Sequence, residues 1–223
     1  MNKSIIKLKN VWKIYGKGSA KVEALREINL DIKKGEFVAI MGKSGSGKST
    51  LLNSIGCLDI PTEGEIYLDS FNISHLSESD LAQIRGKKIG FIFQQFNLIQ
   101  SLTALENVMM PMMFQNIPKS KREERARYLL NIVGLSHRLN HLPSELSGGE
   151  MQRVAIARSL ANDPEVILAD EPTGNLDSKT GQDVMKFLNE LNDKGKTIIM
   201  VTHDEDLAKQ HSEIIYTIKD GRI

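Results

Sequence analysis

Glu36-Phe-Val-Ala-Ile-Met41 runs without a break into Gly42-Lys43-Ser44-Gly45-Ser46-Gly47-Lys48-Ser49, and this junction decides the architecture. Its first half is apolar almost throughout, as a strand reads when both faces of a parallel sheet are covered. Its second half fits G-x-x-x-x-G-K-[ST], the pattern of a phosphate-binding loop. Thr50 to Ile55 continues as a helix, so the loop lies between a strand and a helix, the setting that gives the pattern its meaning. Glycines let backbone N–H groups wrap phosphates, and the following helix aims its positive end at them. The cradle is expected over Gly42, Lys43, Ser44, Gly45, Ser46, Gly47, Lys48, Ser49 and Thr50. Lys48 would neutralise β- and γ-phosphates, and Ser49 would hold Mg²⁺.

Outward from this junction, Ile5 to Leu8 and Ala24 to Ile32 read as strands, Asp59 to Gly64 as a turn and Glu65 to Leu68 as a short strand. From about Ser101 to Leu160 the texture is helical, and the charged run Lys119 to Arg127 reads as a solvated helix face. Glu165 to Ala169 and Thr197 to Val201 are apolar, β-branched runs separated by the helix-like Gly181 to Leu191. Strands divided by helices argue for a mainly parallel α/β sheet. One of these runs ends in two carboxylates, Asp170 and Glu171. Successive side chains on a strand diverge, so two adjacent acids can take different tasks. Asp170 is placed to bind Mg²⁺, and Glu171 to accept a proton from an attacking water. Standing alone, they would read as exposed acids at a strand end; the phosphate loop favours the functional reading.

Composition narrows the function classes. The 223 residues suit one or two domains. With 29 Lys plus Arg against 28 Asp plus Glu, the net charge of +1 supplies no field toward nucleic acid. Met1 to Asn10 carries lysines but no apolar leader core, and no stretch approaches the roughly 18 apolar residues of a membrane-crossing helix. The one cysteine, Cys57, excludes an internal disulfide and reads as a small core residue. His137 and His141 are four apart without a third ligand nearby and read as surface residues, while His75 and His211 follow no pattern.

Leu146-Ser147-Gly148-Gly149-Glu150 precedes the helical stretch Met151 to Arg158. Ser-x-x-Glu is a capping-box pattern, which alone explains Ser147 and Glu150. The same five residues resemble the LSGGQ signature of ATP-binding cassette (ABC) ATPases, with Glu150 where the commonest form has glutamine. With both phosphate motifs in the expected order, the resemblance covers essentially the whole chain. It implies a RecA-like P-loop NTPase: a parallel sheet core and an N-terminal antiparallel β subdomain over 1–93 and 161–223, and a helical signature subdomain over 94–160.

The resemblance carries further residues over. Tyr15 matches the aromatic that stacks on adenine, although alone it reads as a half-buried strand residue. Gln94 matches the glutamine that reaches Mg²⁺ and the attacking water, with Gln95 leaving a one-residue ambiguity. Gly174-Asn-Leu-Asp177 resembles the D-loop, and His203 matches the switch histidine at the γ-phosphate. Ser147, Gly148, Gly149 and Glu150 of one copy are implied to close over ATP held by Lys48 of a second copy. ATP and Mg²⁺ are the implied cofactors, and an integral-membrane permease is the implied partner, holding the chain at the cytoplasmic face of the cell membrane. Ile55 to Gly64, Phe93 to Val108 and Ala169 to Asp177 most resemble the macrolide-exporter and lipoprotein-release group. A cell-division regulatory ATPase of the FtsE type shares every motif. DNA-repair relatives separate loop and signature by coiled coils, and Ser49 to Leu146 has no sustained heptads. Met109 to Phe114, broken by Pro111, reads either as core or as a docking surface for the permease. The short tail after Lys219-Asp-Gly-Arg222 leaves open whether the natural chain continues past Ile223.

Overall fold

Strand β3 (Phe37–Met41) is buried on both sides. Phe37 and Ala39 point into one hydrophobic cluster, Val38 and Ile40 into another. Strands β7 (Val166–Asp170) and β8 (Thr197–Thr202) split the same way, Ile167, Ala169, Ile198 and Met200 facing one cluster and Val166, Leu168, Ile199 and Val201 the other. Together with β6 (Ile89–Ile92) and β9 (Ile214–Thr217) they form a parallel five-stranded sheet ordered β6-β7-β8-β3-β9. The computed structural model describes residues 3–223, so Met1 and Asn2 of the N-terminal segment lie outside the described residues.

A second, antiparallel sheet is ordered β2-β1-β4-β5, from β1 (Ser4–Tyr15), β2 (Val22–Lys33), β4 (Glu63–Leu68) and β5 (Phe71–Asn72). Helix α1 (Lys48–Ile55) buries Leu51, Leu52 and Ile55 in the cluster shared by this sheet and one face of the parallel sheet. The opposite face carries α3 (Ala104–Met113), α5 (Gly148–Ser159) and α6 (Ser178–Asp193), with α4 (Lys119–Ile132) in the same cluster.

The structure departs from the sequence reading in several elements. β1 runs to Tyr15 rather than ending at Leu8, because register shifts at Leu8/Val11 and Val11/Lys13 break the alternation that marks a strand. Helix α2 (Glu78–Lys88) was not anticipated: it buries only Leu81, so it carries almost no apolar periodicity, and its start is set by Ser77 capping Asp80. α7 (Glu205–His211) and β9 are likewise additions. Glu123, Arg125 and Arg127 belong to α4 as expected, with Arg127 paired to Glu123 one turn back.

Candidate functional site

The registers Met41 with Thr202 and Asp170 with Val201 bring the carboxyl ends of β3, β7 and β8 level. Open parallel sheets bind ligands at this edge. The loop Gly42–Ser49 leaves β3 there and turns into α1 at Gly47, whose φ of +110° excludes ordinary side chains. The ammonium of Lys48 donates to the carbonyls of Gly42 (2.7 Å) and Lys43 (2.9 Å), which lays it across the loop. Lys43, Ser44, Gly45 and Ser49 are exposed, Thr50 is half-buried, and the Ser46 hydroxyl is buried without a hydrogen-bond partner. A cavity of about 440 Å³ opens beside the loop, walled by Ser44, Gly45 and Gly47 to Thr50, by Val22 to Ala24 with Arg26, and by the Asp220–Gly221 turn.

Tyr15 stands outside that wall. Its hydroxyl donates to Asp59 (2.7 Å), and the Lys13 ammonium lies 4.9 Å from its ring centre while also pairing with Asp59. Burial and the Asp59 carboxylate push the Tyr15 phenol up to about 12. The ring is therefore fixed, with 41% of the residue exposed.

Asp170 and Glu171 diverge more sharply than neighbours on a strand, because Glu171 leaves β7 with φ +45°. That left-handed conformation is held by Glu171 N–H donating to Val201 and by Gly174 N–H returning to the Glu171 carbonyl. The carboxyl of Asp170 is raised from its usual value by burial and then by neighbouring Glu171, with Lys48 pulling the other way. The Glu171 carboxylate meets His203 Nδ1 at 2.8 Å, and the pair raises the imidazole above its ordinary value. Lys48, Asp170, Glu171 and His203 thus form one electrostatic group at one sheet edge.

Gln94 joins this group from the loop after β6. Its carbonyl accepts from Asn175 (2.7 Å), and its amide lies over Gly174, where an added Cβ would stand 3.1 Å from Nε2. Gln95 lines the groove beside Phe96, Pro143 and Ser144 instead. No group of three or more His, Cys, Asp or Glu able to hold a metal occurs among the described residues. The donors present nonetheless fit Mg²⁺, which takes one or two protein oxygens and completes its shell from phosphates and water: an exposed Ser49 hydroxyl and the Asp170 carboxyl could supply them.

The signature residues belong to the helical side. Ser147 caps α5 in a full capping box with Glu150, Gly148 lies in its first turn near Phe96, and Gly149 abuts Thr180 of α6. None of the interactions among the described residues joins Ser147 to Lys48 within the chain. Asp177 is committed locally: its carboxylate caps α6, accepting from Lys179, Thr180 and the Thr180 hydroxyl, which hold it below its usual range.

Sequence reasoning missed the ties between these parts. Gln152 of α5 donates to Pro172 beside Glu171, and the Arg158 guanidinium donates to the Phe96 and Asn97 carbonyls. It also missed Arg138, paired with Glu150 at 2.8 Å and backed by His141 at 3.1 Å. His141, read as a surface residue, is half-buried, while His137 is exposed.

The ABC transporter family model matches residues 25–174. This chain belongs to the ABC transporter family. An uncharacterized ABC transporter ATP-binding protein of Methanocaldococcus jannaschii, MJ1508, is 60% identical over 98% of this chain and 97% of its own length. The macrolide export ATP-binding/permease protein MacB of Wolinella succinogenes is 51% identical over 100% of this chain, which spans 34% of that longer protein. The dimeric post-hydrolysis cassette MJ0796, also from M. jannaschii, is bound to ADP and Pi. It superposes with a TM-score of 0.90 at 53% identity, covering 98% of this chain and 96% of its own. The cassette described here is thus an ABC ATPase with the expected fold, an antiparallel β layer joined to a parallel nucleotide-binding core.

Proposed function

We propose that this ATPase works as a homodimer closed by ATP and drives a membrane permease, on a separate chain, of the macrolide-exporter and lipoprotein-release type. Each site would pair the Lys48 loop of one copy with Ser147, Gly148 and Gly149 of the other. The placement of these two halves in different lobes supports that arrangement, and the dimeric MJ0796 cassette with bound ADP and Pi agrees with it.

Ser49 and Asp170, with Gln94, would hold Mg²⁺, which would supply charge neutralisation at the phosphates. The chain's residues do the remainder. Backbone N–H groups of Ser44 to Lys48 cradle the phosphates, and Lys48 exchanges loop carbonyls for phosphate oxygens. Glu171 takes a proton from the attacking water, and His203 holds its carboxylate in place. Tyr15, fixed by Asp59, offers its face to the adenine, and Asp177 holds the start of α6 against the signature.

The permease side rests on one observation. Met109 to Phe114 splits: Met109 and Met112 are 9% and 1% exposed, whereas Met113 and Phe114 are 54% and 69% exposed. Met110, Pro111 and Phe114 face a groove of about 610 Å³ with Leu58, Phe91 and Phe93. An apolar groove beside the Gln94 loop suits a helix from a membrane partner. No helix among the described residues is long and apolar enough to cross a membrane itself.

Glu171→Gln in size-exclusion chromatography tests the core of this reading. It should run as a dimer with ATP and as a monomer without it; a monomer in both would refute the composite site. Phe114→Asp should keep its melting temperature and lose co-purification with the permease encoded beside it, and retained co-purification would refute the docking surface.

A further inference from the structure

Glu150 differs from the commonest signature residue by a negative charge, and the structure shows where that charge goes. One carboxylate oxygen accepts from the Ser147 N–H (2.8 Å) and hydroxyl (2.9 Å). The other accepts from Arg138 Nε at 2.8 Å. Arg138 Nη1 lies 3.1 Å from His141 Nε2; a guanidinium can only donate, so that ring nitrogen is the acceptor that holds the fork from behind. The carboxylate is 14% exposed and the guanidinium side chain 34%, so water screens this pair less than a surface pair.

A glutamine at this position would make the same two bonds to Ser147 and cap the helix equally well. The difference is electrostatic. In the dimer proposed above, the start of α5 faces the γ-phosphate held by the second copy, where a bare carboxylate repels polyanionic ATP. The neighbouring arginine removes that repulsion while leaving the capping bonds intact.

We propose that Arg138 is a positioning residue of the composite site: its guanidinium cancels the Glu150 charge, so that Ser147 can receive the partner copy's γ-phosphate. The proposal rests on the composite-site reading. Arg138 acts through Glu150, since its side chain reaches Glu150 and His141 rather than the phosphate loop.

The test uses four proteins in the Glu171→Gln background: the parent, Arg138→Gln, Glu150→Gln and the double variant. Sedimentation measures their dimerisation with Mg²⁺ and ATP, and a fluorescent ATP analogue measures nucleotide affinity at low protein concentration. Unmasking one charge should cost about tenfold per site, hence about a hundredfold in the dimerisation constant for two sites. Arg138→Gln should show that loss with unchanged nucleotide affinity, while Glu150→Gln, which leaves the guanidinium uncancelled, should dimerise at least as tightly as the parent. The double variant, which has lost both charges, should dimerise like the parent, in which the two cancel. Parent-like dimerisation in Arg138→Gln overturns the proposal, as does a double variant no better than Arg138→Gln. If Arg138→Gln is poorly folded, the comparison of the parent with the double variant decides, and a hundredfold loss in the double variant is fatal. A parent that stays monomeric overturns the composite-site reading and the proposal with it, whereas a dimeric parent with a wrong pattern among the variants overturns the proposal alone.

Discussion

Gly149 has a reason to be glycine that lies within one chain. A Cβ built there would stand 2.6 Å from Thr180 Cγ2, with Oγ1 at 3.4 Å and Cβ at 3.6 Å. The methyl cannot swing aside cheaply. Thr180 Oγ1 donates to Asp177 at 2.6 Å, so another rotamer would give up that bond to the carboxylate that caps α6. In Gly149→Ala the overlap is relieved only by parting the starts of α5 and α6, an overpacking cost of about 1–3 kcal/mol. Replacing a helical glycine by alanine returns at most about 1 kcal/mol. Thr180→Ser removes the offending methyl and keeps the hydroxyl, losing less than about 0.8 kcal/mol of burial. In the Thr180→Ser background, Gly149→Ala should then be neutral or stabilising. The expected coupling between the two changes is about 1–3 kcal/mol, and at about 2–4 °C per kcal/mol it is visible in a melting curve. The assay is thermal unfolding of the four proteins without nucleotide at one protein concentration, which keeps dimerisation out of the comparison. Additivity within about 0.5 kcal/mol would refute the reasoning. The same four proteins divide packing from function. If Gly149 also faces the partner's phosphate, the double variant recovers stability but not hydrolysis.

Asn107 is fully buried and pins the segment after Gln94: its amide donates to Ile99, Leu102 and Thr103, and its Oδ1 accepts from Ile99 N–H. Asn107→Ala should cost about 2–4 kcal/mol through the orphaned backbone groups, and a loss under about 0.5 kcal/mol in urea unfolding would contradict that role. His203 should titrate above 6.5, because Glu171 stabilises its charged form. That pair's stabilisation is complete below the unfolded value and is lost as pH rises through the higher folded one, a small effect for so exposed a ring. Glu171→Gln should lower the NMR midpoint of His203, and an unmoved midpoint would exclude the coupling. Cys57 is buried, and that burial pushes its thiol up to about 12. It should resist alkylation at pH 8 in the native protein and react in urea; fast native labelling would show an open core.

The parts of this molecule that the sequence made legible share one property: both partners of the interaction constrain residue identity. Strands β3, β7 and β8 could be read because each packs apolar side chains on two faces, and the candidate sites at their ends stand out because phosphate and Mg²⁺ chemistry restrict the residue types. Helix α2 escaped notice because a polar helix that buries only Leu81 imposes no period, and β1 was cut short because its bulges and the positive φ of Asn10 interrupt the alternation. The ties around the site are hidden for another reason. Gln152 to Pro172, Asn175 to Gln94 and Arg158 to Phe96 all end on backbone carbonyls, which every residue supplies. The donor is written in the sequence and the acceptor is not, so no spacing links them. These one-sided bonds join the signature helix to the segment after Glu171, and both to the Gln94 loop. Arg158 and Gln152 thus tie α5 to the Gln94 loop and to the turn after Glu171, so that none of the three can shift far without breaking one of these bonds. Sequence motifs mark the groups proposed to meet ATP; the donors between them tie the signature helix to the edge where those groups stand.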